Sequence, residues 1–536
     1  MVLNRYEIQS KPMEQTCSVN NDDDHREEWF GNHANNENNS IMVASEEGSA
    51  GVATNHNLFP QSPTEELPEF PVDVSTQQQI EKPKSLCSRV LTLLQYTFSL
   101  VLLLFALALT VAAIVTKQTA VAEATHPVIA LTFLVGLLLW LGLLEGGQGC
   151  IVGLQPRDAQ SYVHCHPWTF RCVQATAGKN LQRYIVGRQF LVVLVVFGIN
   201  LCGSPVAEAN VLGLPSIAHE AFLASGLALM LVTIVVGQLA AQVNSATCLL
   251  DFINSRLSLI TVWVALDVEQ SGLLHACYLV QMLFSRSTDN SFTSESLSRY
   301  SRFWFRARVV MSLVVLGFAF AATVAALFDG QTTMWEGSIP ASVSVIIFFV
   351  LTCFVGLMEG TQIALFAVVH PPEEDSRRHP IALQNCQLVF QGSNFQAFLI
   401  GRQMWVTICM ILVARITTIS APDDEGDTML GVPSTVQGFF QTGLLGALIT
   451  TIVGSLIWRV VASSFPLAFL SNPLIYLIIR LCLLLEASGV CMSAWILAAS
   501  HKRLVGLQGT AGILQLCNTA RHNVVIIYVP IYHAFY

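Results

Sequence analysis

Charged side chains are scarce in this sequence: Asp, Glu, Lys and Arg make up only 12% of its 536 residues, against about 25% in an average soluble domain. The mean hydropathy is +0.55. This combination excludes a soluble globular protein and indicates a chain that is embedded in a lipid bilayer. The 14 cysteines include no CxxC pair, and most lie in apolar runs where Cys acts as a small hydrophobe. We therefore expect no disulfide framework.

The few charges are distributed unevenly along the chain. Residues 1–85 hold 15 acidic and 5 basic side chains, whereas the rest of the chain holds 21 acidic and 22 basic ones. The first segment is rich in Asn, Gln, Ser and Pro, and it cannot bury enough apolar surface to offset its ordering entropy. We expect a disordered acidic cytoplasmic tail over 1–85 and no nucleic-acid partner.

Ten stretches of the remaining chain have the length of a membrane span, which takes about 20 mainly apolar residues. Seven are uncharged, at 90–116, 124–144, 189–207, 221–250, 309–328, 337–358 and 428–458. Three contain charged residues, at 257–284, 397–420 and 474–499. The sequence therefore predicts an all-α polytopic membrane protein with ten transmembrane helices.

An internal repeat divides these ten spans into two sets of five. GLLEGGQ at 142–148 recurs as GLMEGTQ at 356–362, and NLQRYIVGRQ at 180–189 recurs as NFQAFLIGRQ at 394–403, both at an offset of 214 residues. The expected segments are a first five-helix repeat over 86–300, a second five-helix repeat over 301–500 and a C-terminal tail over 501–536.

The number of spans in each half predicts how the halves are related. Five spans would leave each half on the opposite side of the membrane from its start, so the second half would be inverted. Inverted repeats are typical of secondary transporters, which bind their solutes between the repeats near the midplane. Charge counting disagrees in part, because Arg299, Arg302, Arg306 and Arg308 would then lie outside the cell. By charge alone both halves take the same orientation, which would require an extra crossing within 219–284.

The motifs that recur in both halves carry groups suited to binding a polar solute. Glu offers acceptors, Arg offers a rigid fork of donors and Gln offers both, while Gly lets a ligand approach the backbone. This set suits a small solute with several hydroxyls. The alternative is a structural Glu–Arg ion pair, which the retention of both motifs in both halves disfavours. The predicted substrate-binding residues are Glu145, Gly146, Gln148, Gly187, Arg188, Gln189, Glu359, Gly360, Gln362, Gly401, Arg402 and Gln403.

The fifth span of each half carries a carboxylate, in EQSG at 269–272 and in EASG at 486–489. A carboxylate inside a span is costly and usually functional. With a hydroxyl and free backbone carbonyls it provides hard oxygen ligands, which suit Na⁺ or a relayed proton. The alternative is an ion pair with a basic residue such as Arg256 or Arg480. The predicted coupling-ion residues are Glu269, Ser271, Glu486 and Ser488.

One His/Cys cluster suggests a zinc site. It contains His164, Cys165, His166 and Cys172. Its counterpart around His379 does not keep the ligands, and the spacing does not match a standard zinc site. We therefore expect no metal centre. Since no nucleophile–base pair or cofactor loop is present either, an enzyme is the least favoured class, and no cofactor is expected.

Paired EGxQ and GRQ motifs in two five-span halves resemble the eukaryotic silicon transporters of diatoms, choanoflagellates and related silicifying protists. The resemblance covers all ten predicted spans, from about 86 to 500. It implies a plasma-membrane carrier that takes up silicic acid, generally coupled to Na⁺; intracellular vesicle membranes are an alternative location. Silicic acid is small, uncharged at neutral pH and carries four hydroxyls, which agrees with the motif chemistry.

The sequence predicts a secondary active transporter that takes up silicic acid by Na⁺ symport, through an alternating-access site between the repeats. The alternatives are a passive channel or facilitator and a cation-coupled carrier for another small neutral polar solute. The carboxylates in the fifth spans favour coupling over a channel. The sequence leaves the oligomeric state open.

Overall fold

The computed structural model describes residues 86–507 apart from 156, 158, 160–161, 206–210, 281, 283–298, 330–331, 333–339, 369–378, 420–439 and 441. The described residues are almost entirely helical. The expected disordered tail over 1–85 and most of the C-terminal tail over 501–536 lie outside them.

Each half of the chain forms a series of long and short helices. The first half contains α1 (Leu86–Val115), α2 (Ala120–Ala124), α3 (Pro127–Leu154), α4 (Pro167–Ala175), α5 (Lys179–Gly203), α6 (Ser216–His219), α7 (Leu227–Thr247), α8 (Leu249–Phe252) and α9 (Arg256–Gln270). The second half contains α10 (Arg299–Phe328), α11 (Ala341–Ala367), α12 (Pro380–Phe390), α13 (Asn394–Thr417), α14 (Leu444–Ser464), α15 (Pro466–Leu470), α16 (Pro473–Ala487) and α17 (Ser493–Val505).

Eight described helices are long and apolar enough to cross a membrane: α1, α3, α5, α7, α10, α11, α13 and α14. Four of them, α5, α7, α13 and α14, are largely buried and form the centre of the bundle, while the other four leave more apolar surface exposed. The long helices come in the same order in both halves. The fourth one of each half contains a π-helical segment, at Thr233–Leu239 and Ile452–Leu456.

The predicted fifth span of each half is an interrupted helix. α9 ends at Gln270 and α16 ends at Ala487, after 15 residues each. A turn follows in both places, and its glycine has a positive φ, +86° at Gly272 and +73° at Gly489. Glycine adopts this conformation without the steric cost that other residues meet. The described chain thus has eight long spans and two interrupted helices in place of ten continuous spans.

Contacts between α3 and α5 show that these two helices run antiparallel. Gly147, near the end of α3, lies against Tyr184, near the start of α5. Leu137, in the first half of α3, lies against Gly198, near the end of α5. The order of contacts is therefore reversed between the two helices.

Contacts between α3 and α7 show that these two helices run in the same direction. Leu138 lies against Gly237, and further along both helices Gly149 lies against Ser245. Since α3 is antiparallel to α5, α7 also runs opposite to α5.

The same kind of contact links the two halves. Thr407 Oγ1 of α13 lies 2.5 Å from Gln238 Oε1 of α7. Further along α13, Arg415 lies against Gly226, which precedes the start of α7. Later residues of α13 contact earlier residues of the α7 segment, so α13 is antiparallel to α7. The third long helices of the two halves, α5 and α13, therefore run in the same direction.

The pair α5 and α14, which is equivalent to the pair α13 and α7, is also antiparallel. Gln189, in the first part of α5, is hydrogen-bonded to Arg459 near the end of α14. Phe197, further along α5, lies against Gly446 near the start of α14. These helices are antiparallel, so α14 runs in the same direction as α7.

The interrupted helix of each half packs on the first long helix of the other half. Ser312 Oγ of α10 donates to the carbonyl of Leu273, in the turn after α9, at 2.5 Å and accepts from the amide of Ala276 at 2.9 Å. Ser99 of α1 makes the equivalent pair of bonds with the turn after α16, at 2.5 and 2.9 Å. The end of α1 lies beside the end of α5, where Thr119 pairs with Pro205, and the end of α10 lies beside the end of α13, where Thr332 pairs with Ile419. Since α5 and α13 run in the same direction, the starts of α1 and α10 lie at the same face of the bundle, which we call the N-terminal face.

The predicted inversion of the second half is thus wrong. Among the described residues each half has four long spans, an even number, and both halves start at the N-terminal face. This orientation removes the conflict with the charge count, because α5 and α10, whose first turns are basic, both begin at that face. The basic residues there include Arg171, Lys179, Arg183, Arg302, Arg306 and Arg308. The positive-inside rule predicts that the N-terminal face is the cytoplasmic one.

Cysteine labelling tests this orientation. Lys179 and Ser393 are exposed at equivalent positions, at the starts of α5 and α13, and Lys117 is exposed in the connection after α1. With the exposed Cys165 and Cys353 replaced by Ser, Lys179→Cys and Ser393→Cys should react with a membrane-impermeant thiol reagent from the same side, and Lys117→Cys from the other. Labelling of the first two from opposite sides would contradict the parallel arrangement.

Candidate functional site

A cavity of about 530 Å³ lies between the two halves. It is lined by α3, α5 and α7 of the first half, by α11, α13 and α14 of the second, and by residues around the turn between α16 and α17. Its polar lining includes Glu145, Gln148, Arg188, Gln189, Gln238, Gln242, Glu359, Gln362, Arg402, Gln403, Arg459 and Glu486. The structure therefore brings all eight predicted Glu, Arg and Gln residues of the two motif pairs to one cavity.

In the first half, the motif residues form a loosely held network. Arg188 Nη1 donates to the carbonyl of Leu144 at 3.2 Å and lies 3.5 Å from Glu145 Oε2. Arg188 Nη2 donates to Gln189 Oε1 at 3.2 Å. Gln242 of α7 donates to the same Glu145 oxygen at 3.3 Å. These distances lie at or beyond the long end of strong charge-assisted hydrogen bonds.

In the second half, the equivalent network is tighter and carries one more charge. Arg402 donates to Glu359 Oε1 at 3.0 Å and to Gln403 Oε1 at 2.8 Å. Arg459 of α14 donates from Nε to Glu359 Oε2 at 2.9 Å, and its Nη2 contacts the same oxygen. Both oxygens of Glu359 are therefore bound by guanidinium groups, which fixes this carboxylate more firmly than Glu145.

Arg459 also joins the two halves, because its Nη2 donates to Gln189 Oε1 at 3.0 Å. The sequence analysis missed this residue, which directly follows the uncharged run 428–458. Its position matches Gln242 of the first half at an offset of 217, the same offset that relates the two carboxylate motifs of the fifth spans. A position-by-position comparison of the halves would have found one site where an amide is replaced by a positive charge.

The motif glycines serve helix packing. A Cβ added to Gly187 would lie 1.8 Å from the carbonyl oxygen of Ala265 in α9, and one added to Gly401 would lie 1.9 Å from that of Cys482 in α16. A Cβ added to Gly146 or Gly360 would lie closer than van der Waals distance to a phenylalanine ring, in α8 and α15 respectively. None of the four lines the cavity as described. The predicted role of these glycines as substrate ligands stays a prediction, whereas the structure shows each of them packed against a neighbouring helix.

The structure does not bring Glu269 to the cavity. Its carboxylate accepts a hydrogen bond from Arg183 Nε at 2.6 Å and lies 3.8 Å from His275 Nε2. The exposed Ser271 hydroxyl donates to the backbone of its own helix. This geometry matches the ion-pair alternative, with Arg183 as the partner in place of Arg256.

Glu486 is placed differently from Glu269, although the two occupy equivalent positions. It is half-buried and lines the cavity. The residue equivalent to Arg183 is Ala397, and Glu486 forms no ion pair with any residue that the structure describes. Arg480 instead contacts the hydroxyl of Tyr476. Ser488 is exposed and donates to its own helix, so it does not line the cavity.

The His/Cys cluster of the connection before α5 is dispersed. His166 Nε2 lies 2.8 Å from Asp251 Oδ1, Cys165 is exposed and Cys172 is buried in α4. Within the part of the chain that the structure describes, no three His, Cys, Asp or Glu side chains are grouped as metal ligands would be.

Comparison with known proteins identifies one family. A family model described as silicon transporter matches residues 87–514, which is well over half of the chain. No curated protein matches the chain, and neither does any solved structure.

The packing role of the motif glycines can be tested by thermal unfolding of the purified protein. Gly187→Ala and Gly401→Ala should each lower the melting temperature, because overpacking typically costs about 1–3 kcal/mol and here the added Cβ meets rigid backbone. Gly136→Ala in α3 is the matched control, since no atom lies within 4 Å of its added Cβ. Melting temperatures equal to that of the control would contradict this role.

Proposed function

We propose, because this chain belongs to the silicon transporter family, that its central cavity binds silicic acid and that the chain carries this solute across the membrane. The observation that carries the proposal is the convergence of both EGxQ–GRQ motif pairs on one cavity between the halves. Transport of a solute requires groups that bind it and no catalytic groups. The amide and charged side chains that line the cavity are suited to binding.

The composition of the cavity supports a small solute with several hydroxyls. Arg and Gln supply donors, while Gln and Glu supply acceptors, so each hydroxyl of silicic acid can find a partner. The cavity volume of about 530 Å³ also leaves room for water or a co-transported ion beside such a small molecule.

We propose that the two halves rock against each other to expose the cavity alternately to the two sides of the membrane. Parallel repeats related by an axis along the membrane normal occur in other transporter folds. The cavity lining continues from the buried motif residues to Thr247 at the end of α7, to Leu249 at the start of α8 and to Trp495 of α17. Since α7 ends at the N-terminal face, this lining supports an opening of the cavity towards the cytoplasm as part of the proposal.

Coupling to Na⁺ is a further part of the proposal, and we assign it to Glu486. An uncharged solute gains nothing from the membrane potential, so uphill uptake requires a co-transported cation. Glu486 is a cavity carboxylate without an ion-pair partner among the described residues, whereas Glu269 is bound by Arg183 at 2.6 Å. We also propose a plasma-membrane location, in keeping with uptake from outside the cell.

Uptake into proteoliposomes tests the transport function. Vesicles containing this chain should accumulate silicic acid above its external concentration when Na⁺ is higher outside, and accumulation should stop when the gradient is collapsed with an ionophore. Empty vesicles provide the control. Equal uptake with and without the gradient, ending at equilibrium, would instead indicate a passive channel.

Substitutions should separate the solute site from the coupling site. Gln189→Ala or Gln403→Ala should weaken the apparent affinity for silicic acid by up to about tenfold, because one well-placed hydrogen bond contributes ~0.5–1.5 kcal/mol. Gln174→Ala, at an exposed position of α4, should leave it unchanged.

Glu486→Gln should raise the Na⁺ concentration for half-maximal uptake, because it removes an anionic ligand. Glu269→Gln should leave this value unchanged and lower protein stability, because Arg183 loses its partner. The measurement is the uptake rate of each variant as a function of the silicic acid concentration and of the Na⁺ concentration, which gives a half-saturation constant for each. Identical shifts in both constants for the Gln and Glu486 variants would show a single shared site.

A further inference from the structure

Guanidinium groups of the protein bind both oxygens of Glu359, the motif carboxylate of the second half. Arg402 donates to its Oε1 at 3.0 Å. Arg459 donates from Nε to its Oε2 at 2.9 Å, and Arg459 Nη2 contacts the same oxygen. Glu359 is therefore occupied by side chains of the protein and acts as an anchor for two arginines.

The motif carboxylate of the first half, Glu145, is bound through one oxygen. Arg188 Nη1 and Gln242 Nε2 lie 3.5 and 3.3 Å from Glu145 Oε2. Among the described residues, no donor is hydrogen-bonded to Glu145 Oε1. An ionised carboxylate only accepts hydrogen bonds, and Glu145 lines the cavity. Its Oε1 is therefore an acceptor that a hydroxyl of the solute can use.

One position accounts for this difference between the halves. Arg459 of α14 is equivalent to Gln242 of α7 at an offset of 217 residues. Arg459 approaches Glu359 through two N–H groups of its fork, whereas Gln242 offers Glu145 a single amide at 3.3 Å. Arginine forks bind carboxylates more firmly than one neutral donor does. Glutamine at position 242 thus leaves Glu145 available to a ligand.

Gln189 provides a donor beside this acceptor. Its Oε1 accepts from Arg188 Nη2 at 3.2 Å and from Arg459 Nη2 at 3.0 Å. A guanidinium group has only donors, so the amide oxygen faces the arginines and the NH₂ group is left for the occupant of the cavity. Since Arg188 also contacts Glu145 through Nη1, one guanidinium group holds both the acceptor and the donor.

A hydroxyl group fits this pair, because it donates and accepts at once. It can donate to Glu145 Oε1 and accept from the NH₂ group of Gln189. An oxyanion would instead bring its negative charge close to Glu145, which is unfavourable. The charges of the lining do not favour an anion either, because three arginines are balanced by three carboxylates: Arg188, Arg402 and Arg459 against Glu145, Glu359 and Glu486.

We propose, resting on the proposed function, that the first-half motif pair recognises one uncharged hydroxyl of silicic acid, and that Gln242 is the positioning residue that keeps Glu145 available for it. The hydroxyl donates to Glu145 Oε1 and accepts from Gln189. The second-half pair, held by Arg459, anchors the halves to each other and offers the NH₂ group of Gln403 to another hydroxyl. The two motif pairs therefore divide recognition and anchoring between them.

Exchanging the two equivalent residues tests this division. Gln242→Arg should bind Glu145 as Arg459 binds Glu359, and should weaken silicic acid binding at least about tenfold. The double variant, Gln242→Arg with Arg459→Gln, keeps the charge and composition of the cavity and frees Glu359 instead, so it should recover most of the lost affinity. Gln174→Arg, at an exposed position of α4, is the matched control and should bind like the parent protein. Calorimetric titration of the purified full-length protein with silicic acid in Na⁺-containing buffer measures the affinities.

Glu145→Gln gives a second test, in which the readout is selectivity. The oxygen of the new amide would face Arg188, so its NH₂ group would replace the acceptor by a donor. Silicic acid affinity should fall. Phosphate near neutral pH, which should not compete with silicic acid for the parent protein, should compete in this variant. Thermal unfolding shows which variants are folded.

The outcomes separate the two proposals. If the parent protein neither binds silicic acid nor takes it up in vesicles, the proposed function fails. If the parent binds and a folded Gln242→Arg variant keeps its affinity within about twofold, only the present inference fails. A double variant that binds no better than Gln242→Arg would also overturn it, because the loss would then come from the added arginine itself. If Gln242→Arg does not fold, unchanged affinity and selectivity of Glu145→Gln would overturn the inference.

Discussion

A guanidinium group buried inside a membrane protein is costly unless carboxylate or amide oxygens of the protein bind it. This constraint shapes the centre of the bundle. Arg188, Arg402 and Arg459 each come from a different helix, and their partners lie on four helices from both halves. The four central helices are therefore tied at one level, and the cavity lies where these side chains meet. The same groups that hold the halves together form the walls of the proposed solute site.

The packing around this centre explains how the halves could move without separating. Each interrupted helix packs on the first long helix of the other half, through the hydroxyls of Ser99 and Ser312. These contacts lie away from the Arg–Gln contact between Gln189 and Arg459. In the proposed rocking motion, the central contact breaks and re-forms while the contacts of Ser99 and Ser312, near the middle of α1 and α10, act as pivots. The π-helical segment of α7, a feature frequent at functional sites, lines the cavity at Gln238.

The sequence was a good guide to the polar residues of the site and a poor guide to the glycines and the coupling residues. Glu, Arg and Gln side chains that recur at one offset in apolar helices need polar partners, and the nearest such partners are one another. A recurring glycine such as Gly187 can face either a ligand or a helix, and the sequence does not distinguish these. Glu269 and Glu486 look equivalent in sequence, yet their surroundings differ. Arg183 forms an ion pair with Glu269, whereas the equivalent residue near Glu486 is Ala397, and Glu486 lines the cavity.

The amino-acid sequence by itself determined the membrane-embedded all-α class, the internal repeat and the membership of the motif pairs, because hydropathy and repetition are local properties of the chain. Only the tertiary structure decided the relative orientation of the halves and the contribution of Arg459. Orientation depends on whether the fifth apolar segment of each half crosses the membrane, and that depends on the break at Gly272 and Gly489, which hydropathy does not register. The contact of Arg459 with Gln189 joins residues 270 positions apart, so it exists only once the two halves have packed together.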